Sequence, residues 1–206
     1  MKILACGDVH GDSKFVKELA ERAVKERVDL VILTGDLTYF ESEVEGFLGI
    51  LKDKGLKVLL IPGNHETNAT ANFFSELYDF KNIHGHYHIH ENFGFFGVGG
   101  ADIGPNRTSE SEMERLVKHG HQKLMDKVKK DGVNLSKKIL VAHNHLAGTK
   151  SEFSGISGSR SLSAAFYEFE PDLVLFSHIH EAAGMEDEWR GVRLVNVCRH
   201  PKVIEI

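Results

Sequence analysis

The 206-residue chain is 41% hydrophobic and 27% charged, with a formal net charge of −5, which suits one folded domain over residues 1–206. No apolar run approaches the roughly 18 residues of a membrane span, and the acidic balance argues against an extended nucleic-acid surface, which clustered Lys and Arg would have to supply. The opening segment goes directly into polar, Gly-containing sequence rather than a signal peptide, so the expectation is a cytoplasmic protein.

Taken in chain order, short β-branched runs alternate with helical patterns, the signature of an α/β protein. Lys2–Gly7 reads as a first strand. A helix follows over Phe15–Lys25, with Asp12 or Ser13 as its N-cap. Val28–Leu33 is a second strand, Glu43–Lys52 a second helix, Lys57–Ile61 a third strand and Ala69–Tyr78 a third helix. His86–His90 and Phe93–Val98 form an expected hairpin turning at Glu91-Asn92. Ser109–Lys130 is a long charged helix in which Gly120 is a weak point. Strands are expected at Lys138–Ala142, Leu173–Phe176, Arg193–Val197 and Val203–Ile206. Gly148–Arg160, rich in Gly and Ser, is the longest candidate loop, and long loops in compact domains are often functional. Cys6 and Cys198 fall in segments that read as strands and lack paired spacing, which argues against a disulfide framework or a thiolate zinc site.

The polar residues collect at strand ends. The first strand runs into Asp8-Val9-His10, the second into Gly35-Asp36, and the third into Gly63-Asn64-His65-Glu66. Lys138–Ala142 ends at His143, and Leu173–Phe176 at Ser177-His178-Ile179-His180. In open α/β sheets ligands bind beyond the carboxyl ends of the strands. Asp8 and His10, like His178 and His180, are two apart in extended chain and so point to one side. Glycines at 7, 11, 35 and 63 permit sharp turns that bring the strand ends together. Carboxylates and imidazoles so close would repel or protonate one another without a cation, which makes a metal cluster the economical explanation. Oxygen and imidazole donors without Cys favour Mn, Fe, Co, Ni or Zn over a thiolate zinc site.

The ordered blocks Asp8-x-His10, Gly35-Asp36, Gly63-Asn64-His65-Glu66, His143 and His178-x-His180 resemble the signature of the calcineurin-like metallophosphoesterase superfamily. Each block is weak alone, and the ordered set is specific. Asn82-Ile83-His84-Gly85, Gly97-Val98-Gly99-Gly100, Gly158-Ser159-Arg160 and His178-Ile179-His180-Glu181 are further similar to small predicted phosphoesterases related to the Icc cyclic-nucleotide phosphodiesterase. The resemblance implies a four-layer α/β/β/α sandwich and two divalent metal ions, manganese foremost, with Fe, Ni, Co or Zn as alternatives. Carried over by motif, Asp8, His10, Asp36 and His180 hold one metal. Asp36 bridges to a second, held also by Asn64, His143 and His178. His65 faces the substrate and serves catalysis by protonating the leaving-group oxygen or stabilising its charge, while a metal-activated hydroxide attacks phosphorus. His145 competes with His143 for its position.

Three departures from the pattern stand out. Ser177 replaces a usual Gly, where only backbone geometry is expected to matter. Asn196-Val197-Cys198 replaces Asn-Pro-Gly. His143 is followed by Asn-His-Leu rather than a proline-containing run. Asp36 is followed by Leu-Thr-Tyr-Phe and Gly63 is preceded by Pro62, without the arginines of protein phosphatases. The length leaves no room for the added segments of repair nucleases. The function expected is therefore phosphodiesterase activity on small-molecule or nucleotide phosphate esters. The alternatives are a phosphomonoesterase, or a non-catalytic metal-binding scaffold. His84, His86, His88 and His90 share one strand face by period-two spacing and read as a solvated surface. Cys6 reads as a small buried residue near the site, and Arg107 and Arg160 as phosphate contacts or surface ion pairs.

Overall fold

The computed structural model describes residues 1–42 and 46–206. Two sheets face each other. The first has the order β11-β1-β2-β3-β4, built from β1 (Lys2–Cys6), β2 (Leu30–Leu33), β3 (Val58–Leu60), β4 (Lys81–Asn82) and β11 (Lys202–Glu205); only β11 runs antiparallel to its neighbour. The second has the order β5-β6-β7-β8-β10-β9. Its inner strands β6 (Phe93–Val98), β7 (Lys137–Ala142), β8 (Leu173–Phe176) and β10 (Val192–Asn196) are parallel, flanked by antiparallel β5 (Tyr87–His90) and β9 (Glu186–Trp189).

Period-two alternation sorts the side chains into layers. On β1, Ile3 and Ala5 point between the sheets, where they join Ile32, Leu59, Phe95, Val141, Leu175 and Val195. Leu4 and Cys6 point outward with Val31, Leu33 and Leu60. They pack there against α1 (Ser13–Glu26), α2 (Gly49–Asp53) and α3 (Asn68–Tyr78), through Val16, Leu19, Ala23, Leu51 and Phe74. The outer face of the second sheet, with Phe96, Leu140, Val174 and Leu194, is covered by α4 (Glu110–Asp131) and α5 (Arg160–Phe169) through Met113, Val117, Leu124, Leu162 and Phe166. The layering is α/β/β/α, as expected.

Several boundaries differ from expectation for local reasons. Asp12, not Ser13, caps α1, its side chain accepting from Phe15 N at 3.0 Å. Val28 closes that helix by donating to the Ala23 carbonyl, with Arg27 left-handed at the C-cap, so β2 starts two residues later than expected. Of the expected helix Glu43–Lys52, residues 43–45 lie outside the described residues; the helix begins at Gly49 after a turn through Gly46. Helix α5 was not expected, although Leu162, Ala165, Phe166 and Phe169 recur at helical spacing behind the Ser159 cap. The segment before it contains a 3-10 turn, Lys150–Ser154. β9 was likewise missed, being a charged edge strand without apolar alternation. Cys198 lies beyond β10, in an isolated bridge to Gly7. Gly120 is no weak point: a Cβ there would meet the His86 carbonyl at 2.7 Å, so its absence lets α4 cross close to the chain entering β5. No helix among the described residues is long and apolar enough to cross a membrane.

Candidate metal centre

The loops leaving β1, β2, β3, β7 and β8 meet at one end of the sandwich, and the backbone there is unusual. Asp8 (φ 58°), His10 (φ 46°), Asp36 (φ 49°) and His178 (φ 73°) are all left-handed, a conformation that costs a non-glycine residue of order 1–3 kcal/mol and persists only where the surroundings enforce it. Here the enforcement is visible. Asp8 N donates to Gly35 O, His10 N to Asp36 O and Gly11 N to Leu37 O, locking the first two loops together. His65 N donates to Asp36 Oδ1 at 3.0 Å and His178 N to Asp8 Oδ2 at 3.2 Å, tying in the third and fifth. Gly63 is required by close approach, since a Cβ there would stand 2.0 Å from Asp36 Oδ1.

The side chains converge from those loops. Asp36 Oδ2 is 3.8 Å from both His10 Nε2 and His65 Nε2, and its Oδ1 is 3.4 Å from His143 Nε2. His143 Nε2 is 2.9 Å from Asn64 Oδ1, and its ring centroid lies 5.1 Å from that of His178. His180 Nε2 is 3.2 Å from Asp8 Oδ1 and 3.4 Å from His10 Nε2. His10 and His143 each direct Nδ1 at a backbone carbonyl, that of Thr38 at 3.2 Å and that of Thr34 at 2.8 Å. With Nδ1–H donating outward, both rings present Nε2 lone pairs to the centre, the arrangement by which outer partners orient metal-binding imidazoles. His145 turns away, its Nε2 3.2 Å from the Ile156 carbonyl.

Charges are tuned to match. Burial works against ionising Asp8, but the His180 imidazole 3.2 Å from its Oδ1 and the charge of His143 hold its carboxyl well below the usual range. Burial disfavours a charged His143, while Asp36 and Asp8 outweigh it and raise its pKa. Burial, with His143 close by, pushes His178 down to about 3. The Asp8 carboxylate close to its ring raises His180.

A family model described as calcineurin-like phosphoesterase matches residues 1–182. The chain belongs to the calcineurin-like phosphoesterase family. No curated protein matches its sequence. Among solved structures, this calcineurin-like phosphoesterase is similar to TT1561 of Thermus thermophilus, with 18% identity, a TM-score of 0.73, and 98% of this chain and 97% of that one covered. It is also similar to a dimetal phosphatase from Danio rerio (12% identity, TM-score 0.59, 95% and 86% covered). A third is the phosphopantetheinyl hydrolase PptH from Mycobacterium tuberculosis (18%, 0.55, 96% and 88%). At such identities the likeness shows the fold. Membership of the family makes the chain a phosphoric ester hydrolase, and the family works with two metal ions.

The residues of this calcineurin-like phosphoesterase fit such ions. Asp8 Oδ1 and His178 Nε2 are buried with no hydrogen-bond partner, a costly state for polar atoms unless a ligand completes them. The lone pair of His143 Nε2 faces two oxygen acceptors, and His10 and His180 present Nε2 to one another. A metal ion between the atoms would satisfy each of these contacts. Donor atoms of His10, Asp36 and His65 lie within 4.8 Å of one another, as do those of Asp36, His143 and His178, and those of Asp8, His180 and Cys198.

Glu66, Tyr39 and Phe40 also stand around the centre, although the sequence assigned them no role there. Glu66 is buried, accepts from Gly63 N, Thr38 N and Thr38 Oγ1, and braces the second and third loops from behind. Burial, with Asp36 adding, pushes its pKa up to about 7. Its only signal was its place in Gly63-Asn64-His65-Glu66. Ser177 contributes more than backbone: its Oγ donates to Thr34 O at 2.9 Å and lies 3.2 Å from His143 Nδ1, gripping the His143 ring. The aromatic rings of Tyr39 and Phe40, about half exposed, stand at the mouth, with Phe40 stacked on His65 at 4.3 Å between centroids. Arg107 Nε donates to the Asp102 carbonyl, and Arg160 opens α5 on the surface.

Proposed function

We infer that the chain is a dinuclear-metal phosphodiesterase acting on small or nucleotide phosphate esters. In this reading Asp8, His10, Asp36 and His180 hold one ion, while Asp36, Asn64, His143 and His178 hold the other. The observation that carries it is the convergence, on one strained and cross-braced set of loops, of orphaned acceptors and imidazole lone pairs that two cations would satisfy together. Bound metal ions supply a water nucleophile at neutral pH and charge stabilisation at phosphorus. Carboxylate, amide and imidazole donors suit Mn, Fe, Ni, Co or Zn, and the family resemblance puts manganese first.

The chain's own residues do the rest. Glu66 and Ser177 hold the donors in place, and the outward Nδ1 hydrogen bonds of His10 and His143 fix which nitrogen faces the ions. His65, steadied by Phe40 and partly open to solvent, is positioned to give a proton to the leaving-group oxygen. Distance alone would also admit His65 as a ligand, because its ring nitrogen joins the group formed by His10 and Asp36. Its assignment to the substrate follows the family motif. Two features support a diester with a flat leaving group. Tyr39 and Phe40 offer an aromatic face beside His65. Arg199, whose Nη1 donates to the Asp8 carbonyl, is paired with Asp12 rather than free to clamp a dianionic monoester.

The test is to strip the protein with chelator and restore Mn, Fe, Ni, Co, Zn or Mg singly. Turnover of bis-p-nitrophenyl phosphate is then compared with that of p-nitrophenyl phosphate. The expected result is metal-restored turnover favouring the diester. Preference for the monoester makes the protein a phosphomonoesterase. Folded, metal-loaded protein that turns over neither ester acts as a scaffold.

A further inference from the structure

Cys198 is a buried thiol that the reading above leaves unused. It stands where the sequence departs from the family's Asn-Pro-Gly, in Asn196-Val197-Cys198. Its side chain is fully buried, and its backbone is pinned. Cys198 N donates to Asn196 Oδ1 at 2.9 Å, Gly7 N donates to Val197 O, and Arg199 N donates to Gly7 O, so the residue is clamped beside the chain that delivers Asp8. Its Sγ lies within 4.8 Å of both an Asp8 carboxylate oxygen and a His180 ring nitrogen, which are themselves that close to each other. Asp8 Oδ1, 3.2 Å from His180 Nε2, is fully buried and without a hydrogen-bond partner. Sulfur and nitrogen donors bind one ion at about 2.3 Å and 2.0–2.1 Å, so they stand at most about 4.4 Å apart around it. A few tenths of an ångström would close this group on a cation.

We propose that Cys198 is a sulfur ligand of the metal held by Asp8 and His180. The thiol proton leaves to solvent as the metal–sulfur bond forms, and no oxidant or reductant is required. A soft thiolate moves that site's preference toward Zn, Fe or Co and away from the manganese that oxygen and nitrogen donors favour. The two metal positions then differ, since the position proposed for Asp36, Asn64, His143 and His178 has no sulfur in its set. The competing arrangement is a simple S–H contact to the Asp8 carboxylate, with no bond to metal.

The proposal rests on the two-metal reading, and cobalt spectroscopy separates the two without needing turnover. Chelator-stripped protein is loaded with Co2+, its metal content measured and its electronic absorption recorded. Wild-type protein is expected to show a near-ultraviolet sulfur-to-cobalt charge-transfer band besides the visible ligand-field bands. The chain has two cysteines, and Cys6 faces the outer core with its Sγ near the Gly7 carbonyl. The band should therefore survive in Cys6→Ser, where Cys198 is the only thiol left, and vanish in Cys198→Ser. That assignment holds through Cys6→Ser even if Cys198→Ser fails to fold. In competition between Zn and Mn, Cys198→Ser should lose at least about tenfold of the wild-type preference for Zn. Cobalt-loaded wild type without the band overturns the proposal and leaves the two-metal reading standing, as does a band that persists in Cys198→Ser. Protein that binds no cobalt overturns both.

Discussion

Histidine is abundant in two regions of this molecule, and they behave differently. At the candidate metal centre, His10, His65, His143, His178 and His180 come from four loops and meet Asp8 and Asp36 from widely separated parts of the chain. The other group lies along the edge of the second sheet. His84 accepts from Gly99 N, while His86 stands 3.5 Å from Lys123 Nζ and near His119 of α4. His88 and His90 stack on each other and border a cleft of about 480 Å³ that also holds Lys52, Lys57, Lys81 and Asp79. That cleft opens beside Leu30 and Val58, where β2 and β3 begin, at the end of the strands opposite the centre. Burial lowers His88, and His90, Lys81 and Lys57 lower it further; at the centre, Asp36 and Asp8 raise His143 against burial. The histidines are alike in kind. What separates the regions is the burial of two carboxylates, Asp8 and Asp36, among the imidazoles, with Asp8 Oδ1 and His178 Nε2 left without partners, and these features rather than histidine density make the loop cluster the candidate cation site.

The difference can be broken at the centre first. Asp36→Asn removes the carboxylate that His10, His65 and His143 all face. It is expected to weaken metal binding by at least about 100-fold and to abolish turnover, measured by metal analysis and ester hydrolysis. A smaller and more selective effect is expected of His65→Ala. It should keep its metal while kcat falls by roughly 10²–10⁴-fold; loss of metal would make His65 a ligand and sink its role as proton donor. The smallest effect concerns stability away from the centre. His121 stacks on Phe169 at 4.1 Å, and burial, with Lys138 adding, pushes its pKa down to about 4. A depressed histidine stays neutral in the fold while the unfolded chain takes up a proton near its ordinary value of 6.5. Stability should therefore fall as pH drops from about 6.5 toward about 4. Urea midpoints at several pH values should decline less steeply in His121→Phe, and identical slopes would contradict the assignment.

The strand ends were legible because each carries its polar residue directly after an apolar run, and five such blocks in strict order rarely arise by chance. The layering was implied by the family resemblance; β1 and β2 are apolar and buried on both faces, so their sequence alone assigns no residue to a layer. The rest depended on contacts that local sequence does not encode. Period-two spacing would put His84, His86, His88 and His90 on one face, but Gly85 turns the chain at φ 65° and β5 starts only at Tyr87. His143 was favoured over His145 because it directly follows its strand; in the fold the Thr34 carbonyl takes the Nδ1 of His143 and the Ile156 carbonyl engages His145. Cys198 reads as an ordinary strand residue, because its nearness to Asp8 arises from a bridge between the two ends of the chain. Ser177 was read for its backbone alone, and only packing shows its hydroxyl holding Thr34 and His143.

The central claim is that carboxylate-braced loops, and not the histidine-rich edge, bind the metal ions. The most direct test is metal analysis of stripped and reloaded wild type beside Asp36→Asn and the double variant His88→Ala/His90→Ala. Two ions per chain in wild type and in the edge variant, with loss in Asp36→Asn, is the predicted result. Metal lost from the edge variant, or both ions retained by Asp36→Asn, would contradict it.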